Sequence, residues 1–413
     1  MSGVSAPSVR ALGLPSRVAL VLALAYLAMS LWSRLDTATA GGSFSRCTDY
    51  SMFYSGAAWA RAGLDPYDPS LPRVPGVSAR CRATPLFAYV SPPPLTALLL
   101  PFSALPLASG ASLWSLCMLL AMAVGLSCMA PGVPRPVFVG LCCALSPEAL
   151  YTYHLGQCDG LVALGAGLGR AWGARAPLRA GMAASLACCK PQLALFLWVA
   201  VAPGRGIRGR FSLGLACGLA AQFMVSCAFL PGGTRQWALW ANALARRSGA
   251  LGPQTGLGSL AGFARLLPAG LFLRFALLAL GVSLLVSLLR VRVLAPVLGP
   301  ARALAASLCL LGVLAPYVHP YDLVLLLPPL VALVRAGEPG LWGPCLLLAW
   351  LGTPRLERLG LGLGLTCLPL LPILAVVLRP AYPRLAALPG RARHFLSSPA
   401  APRYVPGVGE GDD

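Results

Sequence analysis

Long apolar stretches separated by short polar turns recur from the first residues of the chain almost to its end. Runs of about 20 apolar residues are long enough to cross a bilayer as α-helices. Several stretches are shorter, which predicts tilted or irregular helices. The pattern predicts membrane spans near residues 17–35, 109–130, 137–152, 159–173, 211–230, 269–289, 302–316, 322–335, 340–352 and 359–378. The predicted fold class is therefore an all-α polytopic integral membrane protein.

Two apolar segments do not fit a simple series of spans. Prolines interrupt "PPPLTALLLPFSALPL", residues 92–107, which predicts an interfacial or re-entrant helix. Residues 180–202 have arginine-rich loops at both ends, so we expect two half-helices that enter the membrane and return. The break would lie at "CCKPQ", because Pro191 removes a backbone hydrogen bond and leaves Lys190 at the apex. A single span with one misassigned loop is the alternative.

The composition supports a membrane protein and gives its orientation. Hydrophobic residues make up 57% of the 413 positions and charged residues only 11%, whereas about 25% is usual in soluble domains. The net charge is +20, and 31 of the 32 basic residues are arginines. They lie mostly in short loops, which the positive-inside rule assigns to the cytoplasm. No basic face with interleaved aromatic residues occurs, so no nucleic-acid partner is expected.

This orientation divides the chain into one membrane domain and a tail. Residues 1–380 form the predicted transmembrane domain, and residues 381–413 form a cytoplasmic, partly disordered tail. The large loop 36–91 faces outward, and a disulfide between Cys47 and Cys81 would be compatible with that compartment. The other outer segments are the turns 151–159, 316–322 and 353–358 and the loop 231–268.

The few acidic residues concentrate in the first outer loop. Only 12 occur in the chain, and three of them fall within "RCTDYSMFYSGAAWARAGLDPYD", residues 46–68. Aromatic residues at helical spacing after Asp49 predict an amphipathic helix that lies on the membrane surface. Asp49 either caps this helix or acts as a general base. Asp65 and Asp68 flank a turn sequence and are expected to stabilise the turn.

Lys190, the single lysine, lies beside a helix-breaking proline inside an apolar segment. A compact cation at that depth suits an anionic lipid phosphate, and an amine that snorkels to the interface is the alternative. Two outer turns carry further polar groups, His154 with "GQCD" and His319 with Asp322. Their spacing is not typical of metal ligands, so neither a metal nor another cofactor is expected.

Four segments resemble glycosyltransferase family 87, membrane enzymes of the C-type glycosyltransferase fold. They are "TDYSMFYSGAAWARAGLDPYD", "YVSPPPLTALLLPFSALP", "LGQCDGLVALGAGLGRA" and "AGMAASLACCKPQLALFLW". Weaker similarity follows in 252–267 and 316–330, so the resemblance covers most of residues 45–330 in the family's order. The chain departs from the usual family pattern at Asp159, where asparagine is more common, and in "GPQTGLGSL".

The resemblance implies about ten to twelve transmembrane helices and a large first outer loop that contains interfacial helices. It also implies an inverting enzyme that moves a sugar, mannose first among candidates, from a polyprenyl-phosphate donor. The acceptor would be a cell-envelope glycolipid or polysaccharide at the outer face of the plasma membrane. Asp49 and His319 match catalytic positions, and Lys190 would neutralise the leaving phosphate. The remaining expected substrate contacts are Tyr54, His154, Gln157, Asp159 and Asp322.

Two other functions are compatible with charged residues at membrane depth. A transporter or lipid flippase would show broken helices in corresponding halves of the chain, whereas the sequence contains one broken segment. A non-catalytic envelope scaffold would not require Asp49 or Lys190. Membrane lipids are expected partners under every interpretation.

Overall fold

The computed structural model describes the central membrane region and part of the first loop. It covers residues 48–68, 70, 71, 74, 77, 89–130, 136–191, 193, 207–250, 302–309, 320–335, 375 and 377. These residues form helices and turns, with no strand among them. The α-helices are α1 (Asp49–Arg61), α2 (Pro93–Ser103), α3 (Leu107–Met129), α4 (Pro136–Ala144), α5 (Pro147–Leu155), α6 (Asp159–Trp172), α7 (Pro177–Ala184), α8 (Arg208–Phe229), α9 (Arg235–Ala250) and α10 (Leu327–Arg335). Two 3-10 helices cover Ser185–Cys189 and Pro320–Leu326, and residues 302–309 are also helical.

Several predicted features lie outside the described residues. They include the spans 17–35, 269–289 and 340–352, most of 359–378, the catalytic candidate His319, and Cys47 and Cys81.

Helices α3 and α8 are the two described helices that are long and apolar enough to cross a membrane. They correspond to the predicted spans 109–130 and 211–230. One face of α3 exposes large apolar side chains along its length, and α8 exposes a similar set. Exposure of such apolar surfaces to water is unfavourable, so they are suited to contact with lipid. The exposed residues of α3 are Leu113, Leu116, Leu120 and Val124.

Helix α3 packs against α6 through small residues. A Cβ atom added to Gly167 would collide with the backbone of Gly125, and one added to Gly125 would collide with Ala163. The two backbones therefore approach as closely as glycine allows, which is the usual way for membrane helices to gain van der Waals contact. This packing fixes the position of the first residue of α6, Asp159.

Helix α1 is buried on nearly all sides, so the prediction of an amphipathic helix on the membrane surface is wrong. Ten of its 13 residues are buried. The buried residues include small ones, on the face that carries Ser51 and Ser55. The Ser55 hydroxyl donates to the Ser51 carbonyl at 2.7 Å, which lets this face be buried without an unsatisfied hydroxyl.

The predicted span 137–152 is two helices, α4 and α5, rather than one. Ser146 is the N-cap of α5, and its hydroxyl accepts a hydrogen bond from the Ala149 N–H at 3.3 Å. Pro147 takes the first helical position, where its missing N–H costs nothing. This local signal ends α4 early and carries α5 on to Leu155, into the predicted outer turn.

Helices α2 and α9 adjoin the described part of the first loop. Helix α2 lies within the proline-interrupted segment 92–107, and α9 lies within the segment 231–268 that was predicted only as a loop. From α9, the Trp240 indole N–H donates to the Val90 carbonyl at 2.9 Å, and Arg246 donates to the Tyr67 carbonyl at 3.1 Å.

The helical path after α7 is interrupted where the sequence predicts a break. Helix α7 ends at Ala184, a 3-10 helix follows to Cys189, and Lys190 has a non-helical backbone with φ −121° and ψ 82°. Residues 194–206, which would form the returning half of a re-entrant pair, lie outside the described residues.

Candidate active site

The turn between α5 and α6 positions the polar residues of the site. Gly156 ends α5 with φ +75°, a left-handed conformation that favours glycine. The Gln157 N–H donates to the Thr152 carbonyl at 3.0 Å, which closes a Schellman-type cap. From α3, the Trp114 indole N–H donates to the Gly156 carbonyl at 2.9 Å. The turn is therefore held by its own backbone and by the neighbouring membrane helix.

Asp49 is joined to this turn by a long-range hydrogen bond. The Gln157 amide Nε2 donates to Asp49 Oδ2 at 2.7 Å, across 108 positions of sequence. Thr48, rather than Asp49, is the N-cap residue of α1, so the capping interpretation of Asp49 does not describe its contacts. Asp49 is half-buried and Gln157 is buried. The Asp49 carboxylate is thus held in a fixed orientation by Gln157, which belongs to the turn between α5 and α6.

Lys190 forms a buried ion cluster with two aspartates. Its Nζ lies 2.9 Å from both carboxylate oxygens of Asp159 and 2.7 Å from Asp322 Oδ1. The three side chains come from the non-helical break after Cys189, the first turn of α6 and the 3-10 helix Pro320–Leu326. We call Asp159, Lys190 and Asp322 the lysine triad.

The lysine triad is almost completely removed from solvent. The exposed fractions are 1% for Asp159, 7% for Lys190 and 4% for Asp322. The alternative of a lysine that snorkels to the interface is therefore wrong, because the ammonium ends between buried carboxylates. Two carboxylates around one ammonium carry one excess negative charge when all three are ionised. A buried set of this kind is costly unless its charges stay paired.

The structure places five of the eight predicted site residues in two groups of contacting side chains. One member of each group belongs to the same short stretch of sequence. In the first group, Asp49 contacts Gln157. In the second group, Asp159, two positions after Gln157, contacts Lys190, which also contacts Asp322. Since two residues of extended chain span about 7 Å at most, the turn carries Gln157 and Asp159 close together. The predicted base and the predicted cation are therefore linked through one short turn.

Of the other three predicted site residues, Tyr54 and His154 are among the described residues and His319 is not. The Tyr54 hydroxyl donates to the Leu105 carbonyl at 2.9 Å and the side chain is buried, so its polar atom serves the packing of α1. His154 is half-buried in the last turn of α5. His319 lies outside the described residues, directly before the 3-10 helix that carries Asp322.

The remaining acidic pair of the first loop has the expected turn role. Asp65 Oδ1 accepts the Tyr67 N–H at 3.0 Å, and Asp68 Oδ1 accepts the Ser70 N–H at 2.8 Å. Both are Asx-type turns, as the sequence predicts.

Sequence reasoning missed two contributions to the site. Trp114 was treated as part of an apolar span, although a buried indole N–H usually requires an acceptor, and that requirement was the available signal. Cys158 and Cys189 were given no role, although each immediately precedes a residue of the lysine triad. No group of three or more histidine, cysteine or acidic residues among the described positions is arranged to hold a metal ion.

Comparison with known proteins gives one match. The sequence model of glycosyltransferase family 87 matches residues 89–320, more than half of the chain. The matched range contains Gln157, Asp159 and Lys190, whereas Asp49 precedes it and Asp322 follows its end by two residues. Searches of curated proteins and of solved structures found no match.

Proposed function

The chain belongs to glycosyltransferase family 87, and we propose that it transfers mannose from a polyprenyl-phosphate donor. Membership of this family means that the protein is a glycosyltransferase. The family and the two apolar helices together indicate a membrane protein. The proposed acceptor is a hydroxyl group of a cell-envelope glycolipid or polysaccharide. The proposed site faces the outer side of a multi-pass plasma-membrane protein, because the opposite set of loops and the tail carry most of the arginines.

One observation carries this proposal: the turn after α5 joins a fixed carboxylate to a buried ammonium group. Gln157 holds Asp49 at 2.7 Å, and Asp159 holds Lys190 at 2.9 Å. Sugar transfer from a phosphate requires both types of group, because a proton must be accepted on one side of the sugar and negative charge stabilised on the other.

Asp49 is the proposed general base. It would accept the proton of the acceptor hydroxyl while that oxygen attacks the anomeric carbon and the lipid phosphate departs, with inversion. Gln157 engages Oδ2, and a carboxylate has further lone pairs with which to accept a proton. The Gln157 amide thus positions the Asp49 carboxylate without preventing it from accepting a proton. His319, which precedes Asp322 by three residues, is the proposed second catalytic group.

Lys190 is the proposed stabiliser of the leaving phosphate. An ammonium group has three N–H donors, and in this structure it faces three carboxylate oxygens. A donor phosphate can therefore reach it only if Lys190 turns away from one of its aspartates. Asp159 and Asp322 would hold the cation in place before the donor binds, and would balance its charge after the phosphate leaves.

A transfer assay on purified protein tests the proposal. The protein in lipid nanodiscs is given radiolabelled polyprenyl-phosphate mannose and a membrane lipid extract. We expect mannose transfer, and we expect Asp49→Asn to lower the rate by at least about 100-fold, since general base catalysis is worth that much. Asp65→Asn is the matched control from the same loop, because its carboxylate bonds only the Tyr67 backbone among the contacts seen.

Two results would contradict the proposal. Transfer at the wild-type rate by Asp49→Asn would exclude that residue as the base. Absence of transfer from mannose, arabinose and glucose donors alike, by a folded wild-type protein, would exclude a polyprenyl-phosphate donor.

A further inference from the structure

Tyr50 is a buried aromatic residue next to the proposed base, and the proposed reaction gives it no role. It is the second residue of α1 and is 2% exposed. Its hydroxyl is buried and has no hydrogen-bond partner within the described part of the chain. A buried hydroxyl without a partner costs free energy. The side chain is therefore held by its packing and not by a hydrogen bond of its own.

The side chain of Tyr50 begins at the turn between α5 and α6. A Cβ atom added to Gly156 would collide with Tyr50 Cβ and would lie 3.2 Å from Tyr50 Cγ. Gly156 directly precedes Gln157 in the sequence. Tyr50 directly follows Asp49, which accepts the hydrogen bond from Gln157. The packing of Tyr50 on Gly156 thus adjoins the hydrogen bond that orients the proposed base.

The other end of the Tyr50 side chain lies against α3. A Cβ atom added to Gly110 would lie 2.6 Å from the Tyr50 hydroxyl oxygen. Trp114, about one turn further along α3, donates its indole N–H to the Gly156 carbonyl at 2.9 Å. Helix α3 therefore contacts both the far end of Tyr50 and the turn at which its side chain begins. The ring is enclosed between these two elements.

We propose that Tyr50 is a positioning residue for sugar transfer: its ring sets the distance between Asp49 and Gln157. The ring fills the space between α3 and the turn after α5, so the start of α1 cannot approach or leave this turn while the ring is in place. The effect on transfer rests on the proposed function of Asp49. The effect on the distance between the two side chains does not.

A small shift of α1 is enough to change the site. Gln157 Nε2 lies 2.7 Å from Asp49 Oδ2, and N–H···O hydrogen bonds are usually no longer than about 3.2 Å. Asp49 is the first residue of α1, and helix ends fray unless other contacts fix them. A misplacement of about 1 Å in an active site lowers a rate by as much as about 100-fold. A ring that fixes the start of α1 therefore matters to the reaction.

The first experiment measures the distance without reference to activity. An electron cryomicroscopy structure of full-length Tyr50→Leu protein in nanodiscs should show Gln157 Nε2 more than about 3.5 Å from Asp49 Oδ2, beyond hydrogen-bond range. Tyr50→Phe keeps the ring and should retain the wild-type distance of 2.7 Å. The wild-type distance in Tyr50→Leu would overturn the proposal.

The second experiment compares transfer by the same two variants. Tyr50→Leu should lower kcat at least about tenfold and change the KM for polyprenyl-phosphate mannose less than about twofold, because a misplaced base slows the chemical step and not donor binding. Tyr50→Phe loses only the unpartnered hydroxyl and should match the wild-type kcat. Trp59→Leu removes another buried ring of α1 and should keep the wild-type kcat. Equal losses in Tyr50→Leu and Trp59→Leu, or in Tyr50→Leu and Tyr50→Phe, would refute the proposal.

A double-mutant cycle distinguishes positioning from a general loss of packing. If Tyr50 acts through the hydrogen bond between Gln157 and Asp49, its effect should shrink once that bond is gone. We expect Tyr50→Leu to lower kcat much less in a Gln157→Ala protein than in the wild type. The same fold-loss in both backgrounds would show that Tyr50 acts independently of Gln157.

Gly110→Ala tests the same inference in a chain that keeps the whole Tyr50 side chain, should Tyr50→Leu fail to fold. The added methyl group would lie 2.6 Å from the Tyr50 hydroxyl oxygen and 2.7 Å from the Phe102 carbonyl oxygen. We expect slower transfer, and partial recovery when Tyr50→Phe is added, because one of the two collisions is removed. Absence of any recovery would mean that displacement of Tyr50 is not the cause.

These experiments separate the failure of this inference from the failure of the proposed function. A lengthened distance in Tyr50→Leu, in a protein whose folded wild type transfers no sugar, would contradict the proposed function and support the positioning of Asp49. Wild-type transfer that requires Asp49 and is unchanged in Tyr50→Leu would contradict this inference alone.

Discussion

The turn at Asp65 and Asp68 and the lysine triad use the same side chain in opposite ways. In the turn, each aspartate accepts a backbone N–H only two positions away. In the triad, Asp159 and Asp322 bond a lysine that is 31 and 132 positions away. Asp68 lies on the surface, whereas both triad aspartates are buried.

The difference shows where in the fold a charge is buried at a cost in free energy. A turn carboxylate keeps its water and stabilises only its own neighbourhood. A triad carboxylate loses its hydration, and the loss is offset only if distant segments deliver the ammonium accurately. Charges that a membrane protein buries at this cost are candidates for function by default.

Removing the ammonium should have the largest effect on stability. Lys190→Met leaves Asp159 and Asp322 buried without their cation, and breaking a buried ion pair in this way costs about 3–5 kcal/mol. We expect a large drop in the thermal unfolding temperature of the protein in nanodiscs. Adding Asp159→Asn to Lys190→Met should recover part of the loss, because one uncompensated charge is removed. No recovery in the double variant would show that the loss does not come from unpaired charge.

A smaller loss is expected when the turn between the two groups is strained. Gly156→Ala forces a left-handed backbone on alanine, at about 1–2 kcal/mol, and its Cβ would collide with Tyr50. Transfer should also slow, because Gln157 and Asp159 follow directly. Gly63→Ala is the matched control, since Gly63 has φ +77° and nothing within 4 Å of the added atom. An equal loss for both variants would mean that the contact with Tyr50 contributes nothing.

The smallest effect is expected at the exposed turn. Two hydrogen bonds from Ser70 lower the pKa of Asp68 below its ordinary value. Because the pKa of Asp68 is lower in the folded state, these bonds stabilise the fold at pH values above the ordinary pKa of aspartate. This stabilisation is lost as the pH falls through the lower, folded-state pKa. Because the group is fully exposed, Asp68→Asn should leave the unfolding temperature and the transfer rate unchanged at neutral pH. A drop comparable with that of Lys190→Met would contradict the distinction between the two regions.

The sequence predicts the parts of the fold that local signals determine. Composition and apolar run length identify α3 and α8 as helices able to span a membrane, and the arrangement Lys-Pro locates the break after α7. Surface placement of α1 failed because an apolar stripe does not show whether lipid or protein covers it, and in the structure ten of the 13 residues of α1 are buried in protein. The split at Ser146 was missed although Ser-Pro-Glu is a recognisable helix start.

The candidate site could be predicted as a set of residues but not as a set of contacts. Rare charged groups in an apolar chain identify Asp49, Lys190 and Asp322 without a structure. That Gln157 reaches Asp49 across 108 positions depends on the crossing of α1 with the turn after α5. That Lys190 is enclosed by aspartates, rather than open to a phosphate, depends on the 3-10 helix Pro320–Leu326. Tertiary packing decides both, and no local pattern encodes it.

The central claim is that the lysine triad serves the sugar donor, and that the fold does not need its three charges when they are removed together. Sugar transfer and thermal unfolding of the neutral triad, Lys190→Met with Asp159→Asn and Asp322→Asn, test it most directly. Removing all three charges leaves no unpaired charge buried, so the variant should unfold near the wild-type temperature. Its transfer from polyprenyl-phosphate mannose should fall at least about 100-fold, because no cation meets the leaving phosphate. A folded neutral triad that transfers sugar at the wild-type rate would contradict the claim.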